Sequence, residues 1–329
     1  MKILVVRLSS IGDIVLTTPL VRCLKKQIPG VQVHYLTKSQ FEGLLSNNPY
    51  IDAVHTLKKS MSDTLQSLKK ERFDLIVDLH HNWRTLIIKT YFWRVKSNSF
   101  AKLNVEKWLM VHLKIDILPR KHIVDRYFDT LKPLNIKNDG QGLDFFIDER
   151  KIDLKVIEDL NYVAFVIGGQ HFTKRLPTAK IVEICSLLPC KIVLLGGKTD
   201  EKEGKTIEDQ LSMTQNPCIN LCGKIDLNHS AAVVKGAAFV ITNDTGLMHI
   251  AAAFKQKIVS VWGNTIPEFG MSPYIKDDSF KVEVQNLGCR PCSKIGFDRC
   301  PKGHFRCMND IESNQIVEII KNNLTLSQH

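Results

Sequence analysis

The sequence contains no long apolar run. No window approaches the roughly 18 consecutive apolar residues of a membrane-spanning helix. The N-terminus places only four apolar residues between Lys2 and Arg7, which is too few for the core of a signal peptide. We therefore expect a cytoplasmic protein without a transmembrane segment, and peripheral attachment to the inner face of the cytoplasmic membrane stays open. In the cytoplasm its nine cysteines are expected to be thiols or thiolates rather than disulfides.

Three common nucleotide- and metal-binding patterns are also missing. The two Gly-Lys-Thr triplets, which end at Thr199 and Thr206, lack the upstream glycine of a Walker A phosphate loop. No Gly-x-Gly-x-x-Gly follows the first predicted strand, so the dinucleotide fingerprint is absent. No two aspartates stand two residues apart, which removes the Asp-x-Asp metal clamp of many sugar transferases.

Length and positive charge are what the chain has in abundance. Its 329 residues exceed the usual size of one core and predict two domains of roughly 150 residues each. The 45 basic and 34 acidic residues give a net charge of +11. This surplus favours an anionic partner, such as nucleic acid, anionic lipid headgroups or a phosphorylated substrate. A generally lysine-rich surface would give the same charge.

Short apolar runs alternate with helical patterns in both halves. Strands are predicted at 2–6, 31–36, 53–57, 73–78, 162–167, 191–195, 238–241 and 257–261. Helices are predicted at 14–27, 61–71, 177–187, 200–211, 226–235, 245–254 and 311–323, and 83–134 is expected to be mainly helical. Apolar strands separated by helices are typical of a covered parallel sheet. We predict an α/β fold of two doubly wound, Rossmann-like domains, 1–155 and 156–329, the second with a cysteine-rich insert and a terminal helix.

Two segments far apart in the chain share one design. Each follows an apolar strand-like run and opens a helix, and they are Arg7-Leu-Ser-Ser-Ile-Gly-Asp13 and Asn243-Asp-Thr-Gly-Leu-Met-His249. A strand, a glycine-bearing turn and a helix N-terminus form the usual ligand cradle of an open parallel sheet. One cradle in each half predicts two sites facing a central cleft, an arrangement that suits an enzyme joining two substrates.

Asp13 has two interpretations. Together with Ser9 and Ser10 it places oxygens at the start of a helix, where such residues commonly act as caps, and Gly12 lets the backbone turn there. Alternatively, a carboxylate at the carboxyl edge of the first strand faces the cleft as a general base.

The second half carries the groups that a diphosphate would seek. Lys174 and Arg175 supply cations before a helix, although such residues are often solvated surface. Thr245 and Gly246 stand at a helix N-terminus, whose free N–H groups and dipole favour phosphate. His249 lies one turn further on and could reach the same ligand, although a lone helix histidine is more often structural.

Two further clusters are weaker evidence. His80, His81 and Arg84 could line the acceptor side of the cleft, but packed or solvent-facing histidines are the simpler interpretation. The spacing of the four late cysteines allows a tetrahedral structural zinc site, or else free thiols in a packed insert; they are Cys289, Cys292, Cys300 and Cys307. Four protein ligands would leave no open position, so such a metal would not be catalytic.

Taken together, these segments resemble glycosyltransferase family 9, the bacterial lipopolysaccharide heptosyltransferases. The matching motifs are Arg7-Leu-Ser-Ser-Ile-Gly-Asp-Ile-Val-Leu-Thr-Thr-Pro19, Phe172-Thr-Lys-Arg-Leu-Pro177, Asn243-Asp-Thr-Gly-Leu-Met-His-Ile-Ala-Ala252, Cys289-Arg-Pro-Cys292 and Cys300-Pro-Lys-Gly-His304. The resemblance spans nearly the whole chain in the right order.

The resemblance implies a GT-B fold, with the acceptor on the N-terminal domain and the nucleotide-sugar on the C-terminal one. It implies inverting, metal-independent transfer of heptose from ADP-heptose to an anionic glycolipid, the lipopolysaccharide core, at the inner membrane surface. No cofactor and no nucleic acid partner are expected.

Motifs and resemblance together assign the site residues. Asp13 is the expected base, and Lys174 is expected to stabilise the leaving diphosphate. The expected donor-binding residues are Gly169, Gln170, Thr173, Lys174, Asp244, Thr245, Gly246 and His249. The expected acceptor-binding residues are Arg7, Ser9, Ser10, Gly12, His80 and Arg84.

Two other classes of protein remain as alternatives. A basic, zinc-stapled nucleic-acid-binding protein would explain the charge and the cysteines but would leave both cradles without a purpose. Another nucleotide-sugar enzyme of the same architecture, such as an epimerase, would use the same cradles.

Overall fold

A computed structural model describes residues 1–157, 160–214 and 216–324 of the chain. In chain order the strands are β1 (Lys2–Val6), β2 (Gln32–Lys38), β3 (Ala53–Leu57), β4 (Leu75–Asp78), β5 (Lys96–Ser99), β6 (Tyr162–Val166), β7 (Lys191–Leu195), β8 (Cys218–Asn220), β9 (Phe239–Asn243), β10 (Ile258–Trp262) and β11 (Ser279–Glu283). The α-helices are α1 (Ile11–Val15), α2 (Thr18–Gln27), α3 (Met61–Lys69), α4 (Trp83–Tyr91), α5 (Asn104–His112), α6 (Ile123–Phe128), α7 (Thr178–Leu187), α8 (Glu201–Leu211), α9 (Leu227–Gly236), α10 (Gly246–Ala253), α11 (Arg306–Asn309) and α12 (Ser313–Asn323).

The chain divides into two compact units whose boundary differs from the prediction. The first unit comprises Met1–Leu103 and Lys121–Phe146, and the second comprises Asn104–Arg120 and everything from Ile147 onward. A single boundary at 155 was therefore wrong for the segment 104–120. This segment is held by the second unit, where the Lys114 ammonium donates to the carbonyl oxygens of Cys289 and Pro291. No local sequence pattern indicates that a segment packs with the other unit.

The first unit contains a five-stranded parallel sheet in the order β3-β2-β1-β4-β5. The strands predicted in this half are confirmed as β1 to β4. β5 was missed because its sequence, Lys96-Ser-Asn-Ser99, is polar, and it forms only as the edge partner of β4. The single helix predicted at 14–27 was also wrong, because α1 ends before Pro19, which has no N–H and is tolerated only in the first turn of α2.

The second unit contains a six-stranded parallel sheet in the order β11-β10-β9-β6-β7-β8. The predicted strands and helices of this half are confirmed within a few residues, and α12 corresponds to the predicted terminal helix. β8 and β11 were missed. Each lies at a sheet edge, where a strand needs only one apolar face and its sequence pattern is weak.

In each sheet the order in which strands are added reverses beside the first strand of the unit, and we call this place the reversal point. The chain builds from β1 outward through β2 and β3 and then crosses to the other side of β1 to form β4. In the second unit it builds from β6 through β7 and β8 and then crosses to form β9. Ligands of open parallel sheets bind where the strand order reverses, outside the carboxyl ends of the strands. The fold therefore points to two places, the ends of β1 and β4 and the ends of β6 and β9.

Buried apolar side chains fix these strand ends. Every residue of β6 is buried, as are Ile3, Leu4, Val5 and Val6 of β1. Each such side chain contributes about 1.5–3 kcal/mol relative to exposure, so the turns that follow start from rigid positions. Within the described part of the chain, no helix is both long and apolar enough to cross a bilayer.

Candidate active site

At the reversal point of the first unit, Arg7 joins the ends of β1 and β4. The residue is only 8% exposed. Its Nη1 donates to the carbonyl oxygen of Leu79 at 2.6 Å, and its Nε donates to the carbonyl oxygen of Ser9 at 2.8 Å. Arg7 therefore holds the turn after β1 in place, and Ser9 contributes its backbone rather than its hydroxyl to this arrangement.

Asp13 lies in the first turn of α1 and binds the same arginine. Arg7 Nη2 stands 2.7 Å from one carboxylate oxygen. The backbone N–H and hydroxyl of Ser10 donate to the other oxygen at 3.2 and 3.0 Å. Burial raises the pKa of Asp13, but Arg7 and Ser10 outweigh it and hold that pKa below its ordinary value of 3.8. The side chain is 20% exposed, so an ionised carboxylate is open to a ligand. It also caps α1, and both interpretations of its role agree with this geometry.

His80 belongs to the same group of side chains. Its backbone N–H donates to the Asp78 carboxylate at 3.1 Å, which positions it directly after β4. Burial lowers the pKa of His80 to about 4, and the positive charges of Arg7 and Lys102 act in the same direction. His80 is therefore neutral at physiological pH and stands close enough to Arg7 and Asp13 to feel their charges.

The other predicted acceptor residues differ in what they do. Gly12 is a buried residue inside α1, and Ser10 is exposed at its N-terminus. The guanidinium of Arg84 stacks on the ring of Trp83 with a distance of 4.6 Å to the ring centroid. The structure thus brings Arg7, Ser10, Asp13 and His80 together, and it places Arg84 on the neighbouring helix surface. Roles in acceptor binding remain predictions for all of them.

Tyr127 is a residue that the sequence motifs did not indicate. It lies in α6 and is fully buried, and its hydroxyl has no hydrogen-bond partner among the described residues. Burial raises its pKa, and the charges of Arg7 and Asp13 also act on it. No local pattern could have identified it, because α6 reaches this site only through tertiary packing.

In the second unit, Lys174 and Asp244 form an ion pair at the reversal point. Their Nζ and Oδ2 atoms stand 2.5 Å apart, and both side chains are largely buried. The Thr265 hydroxyl donates to the same carboxylate oxygen at 3.1 Å. The sequence predicted Lys174 and Asp244 separately. It missed Thr265 and its neighbour Asn264. Asn264 is buried, and its side-chain amide nitrogen and oxygen have no hydrogen-bond partner among the described residues.

The N-terminus of α10 stands beside this pair. Thr245 is its N-cap residue and Gly246 its first helical residue. An added Cβ on Gly169 would lie 3.9 Å from the Thr245 methyl group, so the turn after β6 packs against this helix start. The first N–H groups of a helix have no intrahelical partners and favour an anion. His249 lies on the same helix, but it is 2% exposed and thus within the fold.

Other predicted donor groups already have structural tasks. The Thr173 hydroxyl accepts a hydrogen bond from the Phe297 N–H at 2.8 Å and donates to the Phe297 carbonyl oxygen at 3.2 Å, which fastens the cysteine-rich insert. Arg175 donates to the Gly169 carbonyl oxygen and pairs with Asp200 at 2.9 Å. Gln170 is exposed. Of the two predicted cations in this loop, Lys174 therefore stands at the start of α10. Arg175 instead makes contacts that stabilise the fold.

The cysteine-rich insert brings its four thiols into one neighbourhood. All nine cysteines of the chain are free thiols. Burial raises the pKa of Cys307 to about 12, and the thiols of Cys292, Cys289 and Cys300 add to that effect. Within the described residues, however, the one set of three candidate ligand atoms within 4.8 Å of one another lies elsewhere. The sulfurs are thus more widely spaced than a closed tetrahedral site requires.

That set consists of His34, His55 and Glu71, toward the amino ends of the strands of the first unit. Each of its side chains already has a polar partner. The two histidine rings are joined by a 2.8 Å contact between Nδ1 and Nε2, and Glu71 is paired with the Lys2 ammonium at 2.9 Å. The cluster lies at the opposite edge of the sheet from Asp13 and takes no part in that site.

A cavity of about 890 Å³ opens in the second unit near the ends of β10 and β11. Arg120, Ile266, Glu283 and Arg290 are among the residues that line it. Arg290 pairs with Glu283 at 2.7 Å across its wall. None of the predicted donor residues lines this cavity, which stands beside the reversal point rather than at it.

In each unit an ion pair stands at the reversal point of a doubly wound parallel sheet, and two such units in one chain are the architecture of a GT-B type protein. Residues 61–298 match glycosyltransferase family 9 (heptosyltransferase). The chain belongs to this family and is a glycosyltransferase.

Individual relatives agree with this assignment. The chain is 23% identical to lipopolysaccharide heptosyltransferase 1 of Campylobacter coli over 98% of both proteins. The crystal structure of the glycosyl transferase family 9 protein from Veillonella parvula superimposes with a TM-score of 0.76 at 21% identity, covering 99% of this chain and 98% of that one. The E. coli heptosyltransferase WaaC with ADP-2-deoxy-2-fluoro heptose gives a TM-score of 0.70 at 19% identity, covering 98% and 100%. At these identities the solved structures establish the fold.

Proposed function

We propose that this glycosyltransferase moves heptose from ADP-heptose onto a lipopolysaccharide core acceptor, with inversion and without a catalytic metal. The observation that carries the proposal is the ionised, partly exposed Asp13 at the reversal point of the first unit. The relatives named for heptosyl transfer, and the one solved with an ADP-heptose analogue, support the choice of donor and acceptor.

In this proposal the first unit binds the acceptor. Arg7, Ser10 and His80 surround Asp13 and orient the attacking hydroxyl. As the acceptor oxygen attacks the anomeric carbon, its proton passes to the Asp13 carboxylate. The bond between that carbon and the diphosphate oxygen breaks at the same time, and ADP departs with the electron pair. Attack opposite the leaving group inverts the configuration.

The second unit binds the donor. The Lys174 ammonium and the N–H groups at the start of α10 stabilise the charge that develops on the departing diphosphate. Asp244 holds Lys174 in place at 2.5 Å before the donor arrives, so little side-chain ordering is needed on binding. Cations and helix N–H groups in this role remove the need for a metal ion bound to the diphosphate.

A titration of nucleoside diphosphates separates this proposal from its alternatives. ADP should bind with a dissociation constant in the micromolar range, roughly −7 to −8 kcal/mol, and more tightly than UDP or GDP. Transfer of labelled heptose should survive EDTA, with the melting temperature recorded alongside to detect loss of a structural metal. Tight, salt-dependent binding of an oligonucleotide without any response to a diphosphate would instead identify a nucleic-acid-binding protein. Turnover of the nucleotide-sugar without an acceptor would identify an epimerase.

We further propose that the four cysteines of the insert hold a structural zinc ion, which would draw their sulfurs together. Metal analysis should find about one zinc per chain. Changing Cys289 and Cys292 to serine should lower the melting temperature and spare the rate per folded molecule. Cys190→Ser, at a half-buried thiol outside the insert, is the matched control. A variant that melts normally but has lost turnover would contradict a purely structural role.

A further inference from the structure

The first unit carries a stretch of chain after β4 whose charged residues are all basic. Between Leu79 and Leu103 there are five basic residues and no acidic one. The basic residues are Arg84, Lys89, Arg94, Lys96 and Lys102. Lys89 is paired with Asp78 at 3.0 Å, but the stretch as a whole is strongly cationic and favours an anionic surface.

The same stretch exposes large apolar side chains on α4. Trp83, Leu86, Ile87 and Tyr91 occupy positions i, i+3, i+4 and i+8, so they share one face of the helix. Trp83 is 61% exposed and Leu86 59%. Trp93, two residues beyond the helix, is 72% exposed. We call these five residues the aromatic face.

The opposite side of α4 is the one that packs on the sheet. Thr85 and Ile88 are buried, and Ile88 joins the apolar core of the first unit. A helix on the surface of a soluble protein normally turns polar residues outward. Here the outward face is apolar as well, which is typical of a site that meets an apolar partner.

Cations are stacked directly on the two exposed tryptophans. The Arg84 guanidinium lies 4.6 Å from the ring centroid of Trp83, and the Arg94 guanidinium lies 4.8 Å from that of Trp93. Tryptophan, tyrosine and arginine side chains that combine an apolar body with a polar end are enriched where a bilayer meets water. An amphipathic helix of this composition lies in that interface, with its apolar side chains among the acyl chains and its cations among the headgroups.

The position of the aromatic face also suits such a partner. α4 begins three residues after His80, at the carboxyl end of β4. His80 stands at the edge of the first unit that carries Arg7 and Asp13. A surface bound here would be next to the proposed acceptor site.

We propose that the aromatic face docks the protein onto an anionic lipid bilayer. The role of this docking, which is to bring a lipid-linked acceptor to Asp13, rests on the proposed function. The binding of the bilayer itself depends on α4 and its flanking cations.

The test uses the full chain and sedimentation with vesicles. The wild-type protein should bind vesicles of phosphatidylcholine mixed with phosphatidylglycerol, bind pure phosphatidylcholine vesicles more weakly, and lose affinity as salt is raised. Leu86→Ser combined with Trp93→Ser should weaken binding at least about tenfold, since both side chains are exposed and their transfer into the bilayer is lost. Arg94→Gln should weaken binding to the anionic vesicles about fivefold.

The matched control is Met213→Ser, which removes an apolar side chain that is 90% exposed in the second unit. It should bind vesicles like the wild type. Equal binding by the Leu86/Trp93 variant, or binding of an oligonucleotide but not of vesicles, would overturn the proposal.

Activity on a water-soluble core oligosaccharide without lipid separates this inference from the proposed function. The Leu86/Trp93 variant should turn over that acceptor at the wild-type rate. Vesicle binding without any heptosyl transfer would refute the proposed function and leave the docking surface standing. Transfer to the soluble acceptor without vesicle binding would do the reverse.

Discussion

Replacing Asp13 with asparagine should lower kcat by ~10²–10⁴, the usual contribution of a general base. The amide is close in size to the carboxylate but cannot take the proton of the attacking hydroxyl. The fold and the binding of ADP should be preserved, because the donor site is proposed to lie in the second unit. Steady-state kinetics with labelled donor, thermal melting and calorimetric titration of ADP measure the three quantities.

The alternative for Asp13 is that it only caps α1, and Asp63 provides the control. Asp63 is the third residue of α3, as Asp13 is the third of α1, and it is exposed. Asp63→Asn should cost about 0.3–1 kcal/mol of stability through the helix dipole and leave kcat unchanged. If Asp13→Asn turned over within a factor of about three of the wild type, far below the effect of losing a base, Asp13 would be a cap and not the base.

The pH dependence of the reaction follows from the same site. Because Arg7 and Ser10 lower the pKa of Asp13 despite burial, the carboxylate stays ionised until the pH falls below its ordinary value of 3.8. His80, with a pKa of about 4, also keeps one protonation state at neutral pH. The value of kcat/KM should therefore vary little between about pH 6 and 8 and decline only in strong acid. A steep loss of kcat/KM between about pH 6 and 8 would indicate a different base.

Replacing Lys174 with alanine should lower the rate by ~10²–10³, because its charge offsets the developing charge of the diphosphate in the transition state. The structure adds a second effect, since the change leaves the largely buried Asp244 carboxylate without its cation. That carboxylate would then repel the diphosphate, and the affinity for ADP should fall as well. Kinetics and ADP titration separate the two effects.

The double variant Lys174→Ala with Asp244→Asn decides which effect dominates. If the ammonium itself stabilises the leaving group, ADP affinity should recover in the double variant while the rate stays low. Full recovery of the rate would show that Lys174 serves only to neutralise Asp244. Lys235→Ala is the control for loss of a surface cation in the same unit, since Lys235 is half exposed and pairs with Glu149 at 2.6 Å. It should leave both quantities unchanged.

Local patterns were sufficient for the central strands and for the strand-turn-helix geometry at the ends of β1 and β9. β1 and β6 are continuous apolar runs, and a run of this kind can be buried on both faces only in a covered parallel sheet. The turns that follow β1 and β9 were also evident, because glycine and helix-capping residues act over a few positions. Asp13 and Thr245 could therefore be placed at helix starts without any knowledge of the rest of the chain.

Contacts between distant residues could not be predicted in this way. Nothing in the sequence ties Lys174 to Asp244, 70 positions later, or brings Tyr127 to Arg7. These pairs exist because β9 lies beside β6 and because α6 packs within the first unit. The same limit explains the polar strand β5, which forms only against β4, and the segment 104–120, which joins the second unit.

The sequence by itself determined the class of fold and the two strand-turn-helix segments after β1 and β9, since strand burial, turn geometry and helix capping depend on neighbours within a few residues. The tertiary structure alone decided which charges meet, because strand order sets those distances. It placed Arg7 against Asp13 and so lowered the pKa of that carboxylate. It paired Lys174 with Asp244. It also engaged Arg175 in an ion pair with Asp200 and Thr173 in a hydrogen bond with Phe297, so both residues stabilise the fold. It also left one face of α4 apolar and exposed, a property that depends on which side of the helix the sheet covers.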